Sequence, residues 1–130
     1  RVLFRSHTLA PDKLSQNHAK VKVEYVGDKR VLTDGVHTVE IHKTQGSVHN
    51  EGLLFAYLPK EKVVIEADSF NPPATADAAA PPNPANANLL DNFNRLKLDV
   101  ETLVPVHYPA DGRKVSIDEL KKAVGQRSTN

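Results

Sequence analysis

Two histidines and one aspartate are the residues of this chain whose types and positions could support metal chemistry. His49 stands just before the apolar run GLLFAYLP, and Asp68 closes the next run, KVVIEAD. His107 follows a third apolar segment, TLVPV. Imidazole nitrogens and carboxylate oxygens are donors that zinc and other divalent cations bind in proteins. The three residues therefore form a candidate metal site if the fold brings them together.

The element expected to bring the first two together is a β-hairpin. The two apolar runs are separated by a short polar turn that contains Pro59. Because a hairpin returns the chain to the edge of the sheet where it began, His49 and Asp68 are predicted to be neighbours. If the strand before His107 runs alongside, His107 joins them. Both runs are almost continuously apolar, which predicts burial on both faces, one under helices and the other under further structure.

A simpler interpretation stays open for each of these three residues. A histidine in a loop is commonly a surface residue, and an aspartate after a strand commonly forms a turn or caps a helix. The other histidines show no spacing typical of metal ligands, and we interpret them as structural or surface residues. They are His7, His18, His37 and His42.

Three more segments of the first half are predicted to form strands. Residues 20–26 (KVKVEYV) alternate strictly between polar and apolar, as in a strand with one buried face. Residues 31–35 (VLTDG) predict a short strand that ends in a turn, and residues 36–43 (VHTVEIHK) are rich in β-branched side chains. Together these segments predict an antiparallel meander before the central hairpin.

The second half predicts a loop followed by a helix, a strand and a helix. Residues 70–87 hold five prolines among alanines and asparagines, which is typical of a long surface loop. Asn83 as a cap and Pro84 in the first turn predict the start of a helix. A strand ending at His107 follows, and a capping box predicts the helix SIDELKKAVG. The whole chain, 1–130, is thus predicted to be a single domain of the α/β or α+β class.

Composition excludes several classes of function. The 130 residues include 17 basic and 16 acidic ones, scattered along the chain, which argues against binding nucleic acid or an anionic membrane. No apolar run is long enough to span a bilayer, so a soluble chain is predicted. The absence of cysteine excludes disulfides and thiolate metal sites. Methionine is also absent, so we expect this chain to lack an N-terminal portion, and its compartment, cytoplasmic or exported, would depend on that portion.

The segment 48–72, VHNEGLLFAYLPKEKVVIEADSFNP, resembles the central part of the metallo-β-lactamase superfamily of metal-dependent hydrolases. In that superfamily a histidine in a glycine-containing loop precedes a strand, a lysine-rich turn follows, and the next strand ends in an aspartate. LKLDVETLVPVH resembles the later strand that ends in a histidine. The likeness runs from about Val31 to Gly125.

The resemblance implies a metal-binding role for three residues. His49 matches the histidine that binds the first metal, Asp68 matches the aspartate that bridges two metals, and His107 matches the last histidine, on the second metal. It further implies one or two zinc ions in a full-length protein and a metal-bound water as the nucleophile. The implied substrate is a small molecule with an ester, amide or phosphodiester bond. The implied fold is half of an αβ/βα sandwich.

Two departures from the superfamily pattern shape the expected function. The motif His-x-His-x-Asp-His of the N-terminal half is absent, and His107 is followed by Tyr108 and Pro109 where glycine is common. We therefore expect the C-terminal half of such a hydrolase, which by itself binds zinc weakly or not at all and has no catalytic residue of its own. Its expected partners are the missing N-terminal half and further copies of itself. The alternative is a non-catalytic half-domain that serves assembly or partner binding.

Overall fold

The computed structural model describes residues 22–76, 78 and 83–125. They form a mixed six-stranded sheet and two helices, which confirms the predicted α+β class. The elements are β1 Lys29–Thr33, β2 Thr38–Lys43, β3 Leu54–Leu58, β4 Val63–Glu66, α1 Pro84–Leu96, β5 Thr102–Pro105, β6 Val115–Ser116 and α2 Ile117–Ala123.

The strands lie side by side in chain order. β1 to β4 form an antiparallel meander that contains the predicted strands at 31–35 and 36–43 and both strands of the hairpin, but not the segment 20–26. β4 and β5 are parallel and are connected through α1. Glu66 pairs with Pro105, so β4 and β5 end at the same edge of the sheet. β3 begins at that edge because it is antiparallel to β4. We call this the site edge.

Both helices pack on one face of the sheet and form the core with it. The ring of Phe93 in α1 meets the ring of Phe55 in β3 edge-on, with the ring centroids 5.6 Å apart. Leu89 and Phe93, four residues apart on one side of α1, are both buried there. Neither helix is long and apolar enough to cross a membrane. The fully buried core side chains are Val64, Phe70, Leu89, Leu103, Val115 and Leu120.

The opposite face of the sheet is apolar and, within the part of the chain that the structure describes, uncovered. Ile65 is 45% exposed, Leu54 and Val104 are each 38% exposed, and Val106 is 61% exposed. Together with Ile41 they line a groove of about 480 Å³, and we call this surface the open face. The prediction that both faces of the hairpin are buried is thus right for the helix face and wrong for the open face.

The alternating segment 20–26 is the clearest wrong prediction of a strand. Residues 22–26 are not in the sheet, and Tyr25 is 96% exposed; Lys20 and Val21 lie outside the described residues. A strand needs a neighbour for its backbone N–H and C=O groups, and β1 pairs only with β2 in the described residues. Alternation of polar and apolar residues was therefore not sufficient for this segment to join the sheet.

Residues 70–76 of the predicted loop belong to no helix or strand in the structure. Phe70, however, is completely buried rather than at the surface, and α1 begins at Pro84, where the Asn83 and Pro84 signals predicted it; residues 77 and 79–82 lie outside the described ones. The predicted cap is confirmed, because the Asn83 side chain accepts a hydrogen bond from the Ala85 N–H at 2.9 Å.

β5 and α2 differ from the predicted strand and helix only in their exact bounds, whereas β6 was not predicted. β5 ends at Pro105 rather than at His107, and the two residues of β6 are too few to produce a periodic signal. The predicted capping box of α2 is confirmed, with hydrogen bonds between Ser116 and Glu119 in both directions.

The turn between β1 and β2 depends on the carboxylate of Asp34. Its Oδ1 accepts the N–H groups of His37 at 2.7 Å and Val36 at 2.9 Å. The His37 ring lies 3.1 Å from Oδ2. These contacts lower the pKa of Asp34 from 3.8 to about 2, and the hydrogen bond from the His37 N–H has the largest effect.

Acid should weaken this turn at an unusually low pH. Because the folded-state pKa of Asp34 lies below the unfolded value, its stabilisation is complete above pH 3.8 and is lost as the pH falls through about 2. We expect an NMR titration of the Asp34 carboxyl to have its midpoint near the lower value. A midpoint near 3.8 would contradict the hydrogen bonding described here. Asp34→Asn, which keeps an acceptor oxygen, should remove the pH dependence of the Val36 and His37 amide signals.

Candidate metal centre

The structure brings His49, Asp68 and His107 together at the site edge. Asp68 follows β4 and His107 follows β5, and because these strands are parallel and in register both residues reach the same point. His107 Nε2 lies 2.9 Å from Asp68 Oδ1, and His49 Nε2 lies 3.6 Å from Asp68 Oδ2. Each oxygen of the carboxylate therefore faces a different imidazole.

All three side chains are open to solvent. The side chains of His49, Asp68 and His107 are 50%, 40% and 64% exposed. Exposed ion pairs of this kind contribute at most about 1 kcal/mol to stability. The fold therefore gains little by placing them together, whereas a ligand from solution can reach all three.

His49 lies in a loop with its own internal hydrogen bonds. The Thr44 N–H donates to the Leu53 carbonyl at 2.9 Å and closes the loop. The Ser47 hydroxyl accepts the N–H groups of His49 at 3.2 Å and of Asn50 at 3.4 Å. The loop thus has a defined path from β2 to β3, and this path determines the position of the His49 imidazole.

Asp68 lies in a turn that is held from inside the protein. Its φ of 65° is in the left-handed region, which aspartate tolerates better than most residues. Glu66 Oε2 accepts the N–H of Ser69 at 2.9 Å and of Phe70 at 3.3 Å. Since the Phe70 side chain is completely buried, the turn is anchored on both sides of the aspartate.

Glu66 is a buried carboxyl beside the site that sequence reasoning missed. Burial raises the pKa of Glu66 to about 7, and the negative charge of Asp68 acts in the same direction. The N–H groups of Ser69 and Phe70 oppose this shift. The sequence signal was a lone acidic residue inside the apolar run VVIEAD, which is unusual unless that residue has a structural or functional task.

Arg113 anchors the segment that follows the site. Its Nη2 donates to the Pro73 carbonyl at 2.8 Å and to Glu119 Oε2 at 2.8 Å. Its Nη1 donates to Asp111 Oδ1 at 3.0 Å. The first part of the proline-rich stretch is therefore held against the start of α2.

The donor atoms suit zinc, although their arrangement is not that of a bound ion. In the described part of the chain, no group of three or more His, Asp or Glu side chains is arranged to hold a metal ion as it stands. Ligands about 2 Å from one tetrahedral zinc lie about 3.3 Å from each other. The distance from His49 to Asp68 is close to this value, whereas His107 and Asp68 are at hydrogen-bond distance. A cation would therefore have to compete with that hydrogen bond.

The remaining histidines that the structure describes lie away from this cluster. His37 is exposed in the β1–β2 turn at the opposite end of the strands, as predicted for a surface residue. His42 is buried beside Glu40, with its Nε2 2.9 Å from the carboxylate, as predicted for a structural residue. His7 and His18 lie outside the described residues.

No protein-family model matches the chain, and no curated protein matches it. We therefore infer function from the positions of His49, Asp68 and His107 and from the resemblance of their surrounding segments.

Proposed function

We propose that this chain is the C-terminal half of a metallo-β-lactamase-like metal-dependent hydrolase, and that His49, Asp68 and His107 are zinc ligands in the complete protein. The proposal rests chiefly on one observation: the two oxygens of Asp68 lie 2.9 and 3.6 Å from the imidazoles of two histidines that come from separate loops. The resemblance names the same three residues as ligands.

The proposed role of each residue follows from its contacts. Asp68 suits a carboxylate that binds two cations, because its oxygens already face in two directions. His49 and His107 would each offer Nε2 to one cation. When bound, zinc supplies a water acidic enough to act as a nucleophile near neutral pH. The three exposed side chains would hold the cations at the surface, where a small ester, amide or phosphodiester substrate would have access.

The open face supports the second part of the proposal, that another half of the protein belongs here. Sheets with apolar faces pack against each other about 10 Å apart in sandwiches. The open face is such a surface, since Ile65 and Val104 stand on it side by side in paired strands. An N-terminal half that covered this face would complete an αβ/βα sandwich and supply the remaining ligands.

A second candidate function is favoured by the same open face. A half-domain without catalysis would use this face for assembly or partner binding, with further copies of the chain among its partners. Reading the gene upstream of the codon for Arg1 separates the two candidates. A preceding segment with a His-x-His-x-Asp-His motif favours the hydrolase, and its absence favours the binding module.

Calorimetric titration with zinc tests the ligand set. We expect the chain to bind zinc weakly, because three ligands leave the ion partly hydrated. Replacing a residue that merely orients a metal ligand lowers metal affinity by about 10–100-fold. Replacing a ligand itself should lower zinc affinity at least as much, so we expect no measurable binding by His49→Ala or Asp68→Ala. Joining the chain to its N-terminal half should raise zinc affinity sharply and produce hydrolytic activity.

The matched control is His37→Ala. His37 and Asp34 form an exposed histidine–aspartate pair at the opposite end of the sheet, with 3.1 Å between the ring and the carboxylate. This variant should bind zinc as the wild type does. Equal binding by the wild type and Asp68→Ala would rule out the proposed ligands, and tight stoichiometric binding would show that the chain completes its own site.

A further inference from the structure

The buried amide of Asn92 in α1 makes an unusual pair of hydrogen bonds. Its side chain is almost inaccessible, with 3% of the residue exposed. Its Oδ1 accepts the N–H of Gln45 at 2.9 Å, and its Nδ2 donates to the Gln45 carbonyl at 3.0 Å. One side chain thus satisfies both backbone groups of a residue that is far away in the sequence.

Neighbouring residues of α1 reinforce this clamp. Asn88, one turn earlier, donates from Nδ2 to the same Gln45 carbonyl at 2.9 Å. Arg95 donates from Nη2 to Asn92 Oδ1 at 2.9 Å and so fixes the orientation of the amide. Gly46 lies close by, and a Cβ at that position would be 3.4 Å from Asn88 Nδ2. The turn that contains Gln45 is therefore docked closely onto the helix.

The clamped turn is the base of the loop that carries His49. Gln45 follows Thr44, whose N–H closes the loop by donating to the Leu53 carbonyl at 2.9 Å. Ser47 then accepts the N–H of His49 at 3.2 Å. The path from Asn92 to the imidazole consists of these contacts and the short stretch of backbone between them.

We propose that Asn92 is a positioning residue for the candidate metal centre, which holds the His49 loop against α1 so that the imidazole faces Asp68. This inference rests on the proposed function for its metal-binding consequence. The positioning itself does not depend on metal. Residues that orient metal ligands typically contribute about 10–100-fold to affinity.

Asn92→Asp is the sharpest test, because it changes one group and preserves the size of the side chain. The oxygen that accepts the Gln45 N–H remains. Asn92 Nδ2, which now donates to the Gln45 carbonyl at 3.0 Å and to the Asn88 carbonyl at 2.8 Å, is replaced by an oxygen that repels both carbonyls. We expect amide exchange in residues 45–53 to become about tenfold faster. The imidazole NMR signals of His49 should shift, while those of His107 should not.

In zinc titrations the same variant should bind about 10–100-fold more weakly than the wild type. Leu90→Ala is the matched control, because Leu90 is a core residue of the same helix and makes none of these hydrogen bonds. It should destabilise the fold but leave the His49 signals and the zinc affinity of the folded chain unchanged. Asn88→Ala, a change at a half-buried residue that makes one of these hydrogen bonds, should produce a smaller effect in the same direction as Asn92→Asp.

The outcomes separate this inference from the proposed function. If the wild type binds no zinc but Asn92→Asp still shifts the His49 signals and speeds exchange in its loop, the clamp is supported and the metal proposal fails. If Asn92→Asp leaves the loop and the His49 signals as they are, the clamp is overturned, whatever zinc does. Equal effects of Leu90→Ala and Asn92→Asp on His49 would also overturn it, since they would reflect general destabilisation.

Discussion

Replacing Phe70 with alanine is expected to lower the free energy of unfolding by about 3–5 kcal/mol. The side chain is completely buried in the main hydrophobic cluster, so its removal leaves a cavity as well as a loss of apolar burial. The Phe70 N–H also donates to Glu66 Oε2 at 3.3 Å, which ties the turn of Asp68 to the core. Urea denaturation of the two proteins measures the difference.

The control for this substitution is Tyr25→Ala, which removes an aromatic ring that is 96% exposed. It should change the free energy of unfolding by no more than about 0.5 kcal/mol. If Phe70→Ala cost as little as this control, the placement of Phe70 in the core would be wrong, and so would the anchoring of the Asp68 turn.

The second large effect concerns the open face, through which we expect the chain to self-associate. Ile65 and Val104 lie in paired strands of this face and are 45% and 38% exposed. An apolar surface of this kind favours association with a second copy when nothing else covers it. Sedimentation velocity over a range of concentrations should therefore show a dimer or a larger oligomer.

Ile65→Lys should convert these oligomers to monomers. An unpaired charge buried in an interface costs at least about 3 kcal/mol, which weakens association by more than about 100-fold. Val36→Lys is the matched control, because Val36 is 70% exposed in the β1–β2 turn and lies away from the open face. A wild type that is monomeric at high concentration, or equal effects of the two variants, would contradict this role of the face.

The parts of the fold that the sequence predicted correctly depend on contacts between near neighbours in the chain. The start of α1 follows from Asn83 and Pro84, and the start of α2 follows from Ser116 and Glu119, because each cap bonds within its own first turn. The nearness of His49 and Asp68 was also predictable, since a hairpin brings its two ends together whatever surrounds it.

Predictions from local sequence patterns were wrong where the structure depends on contacts with other parts of the chain. Residues 22–26 alternate like a strand but have no place in the sheet, and Phe70 sits in a proline-rich context but lies in the core. In the first case no adjacent strand within the described ranges completes the backbone hydrogen bonds. In the second, the Ser69 and Phe70 N–H groups donate to Glu66 Oε2, and these hydrogen bonds direct the chain inward before the prolines begin.

The sequence by itself therefore determined most of the elements, the start of each helix and the nearness of His49 to Asp68, but not the fate of segment 20–26 or the existence of β6. Only the tertiary structure decided that β5 lies parallel to β4, which brings His107 to Asp68, and that Asn92 holds the His49 loop. These contacts join residues that are distant along the chain, so no periodicity or spacing encodes them. The same holds for the open face: apolar residues predict that a surface will be buried, but only packing shows which surface the rest of the described chain covers.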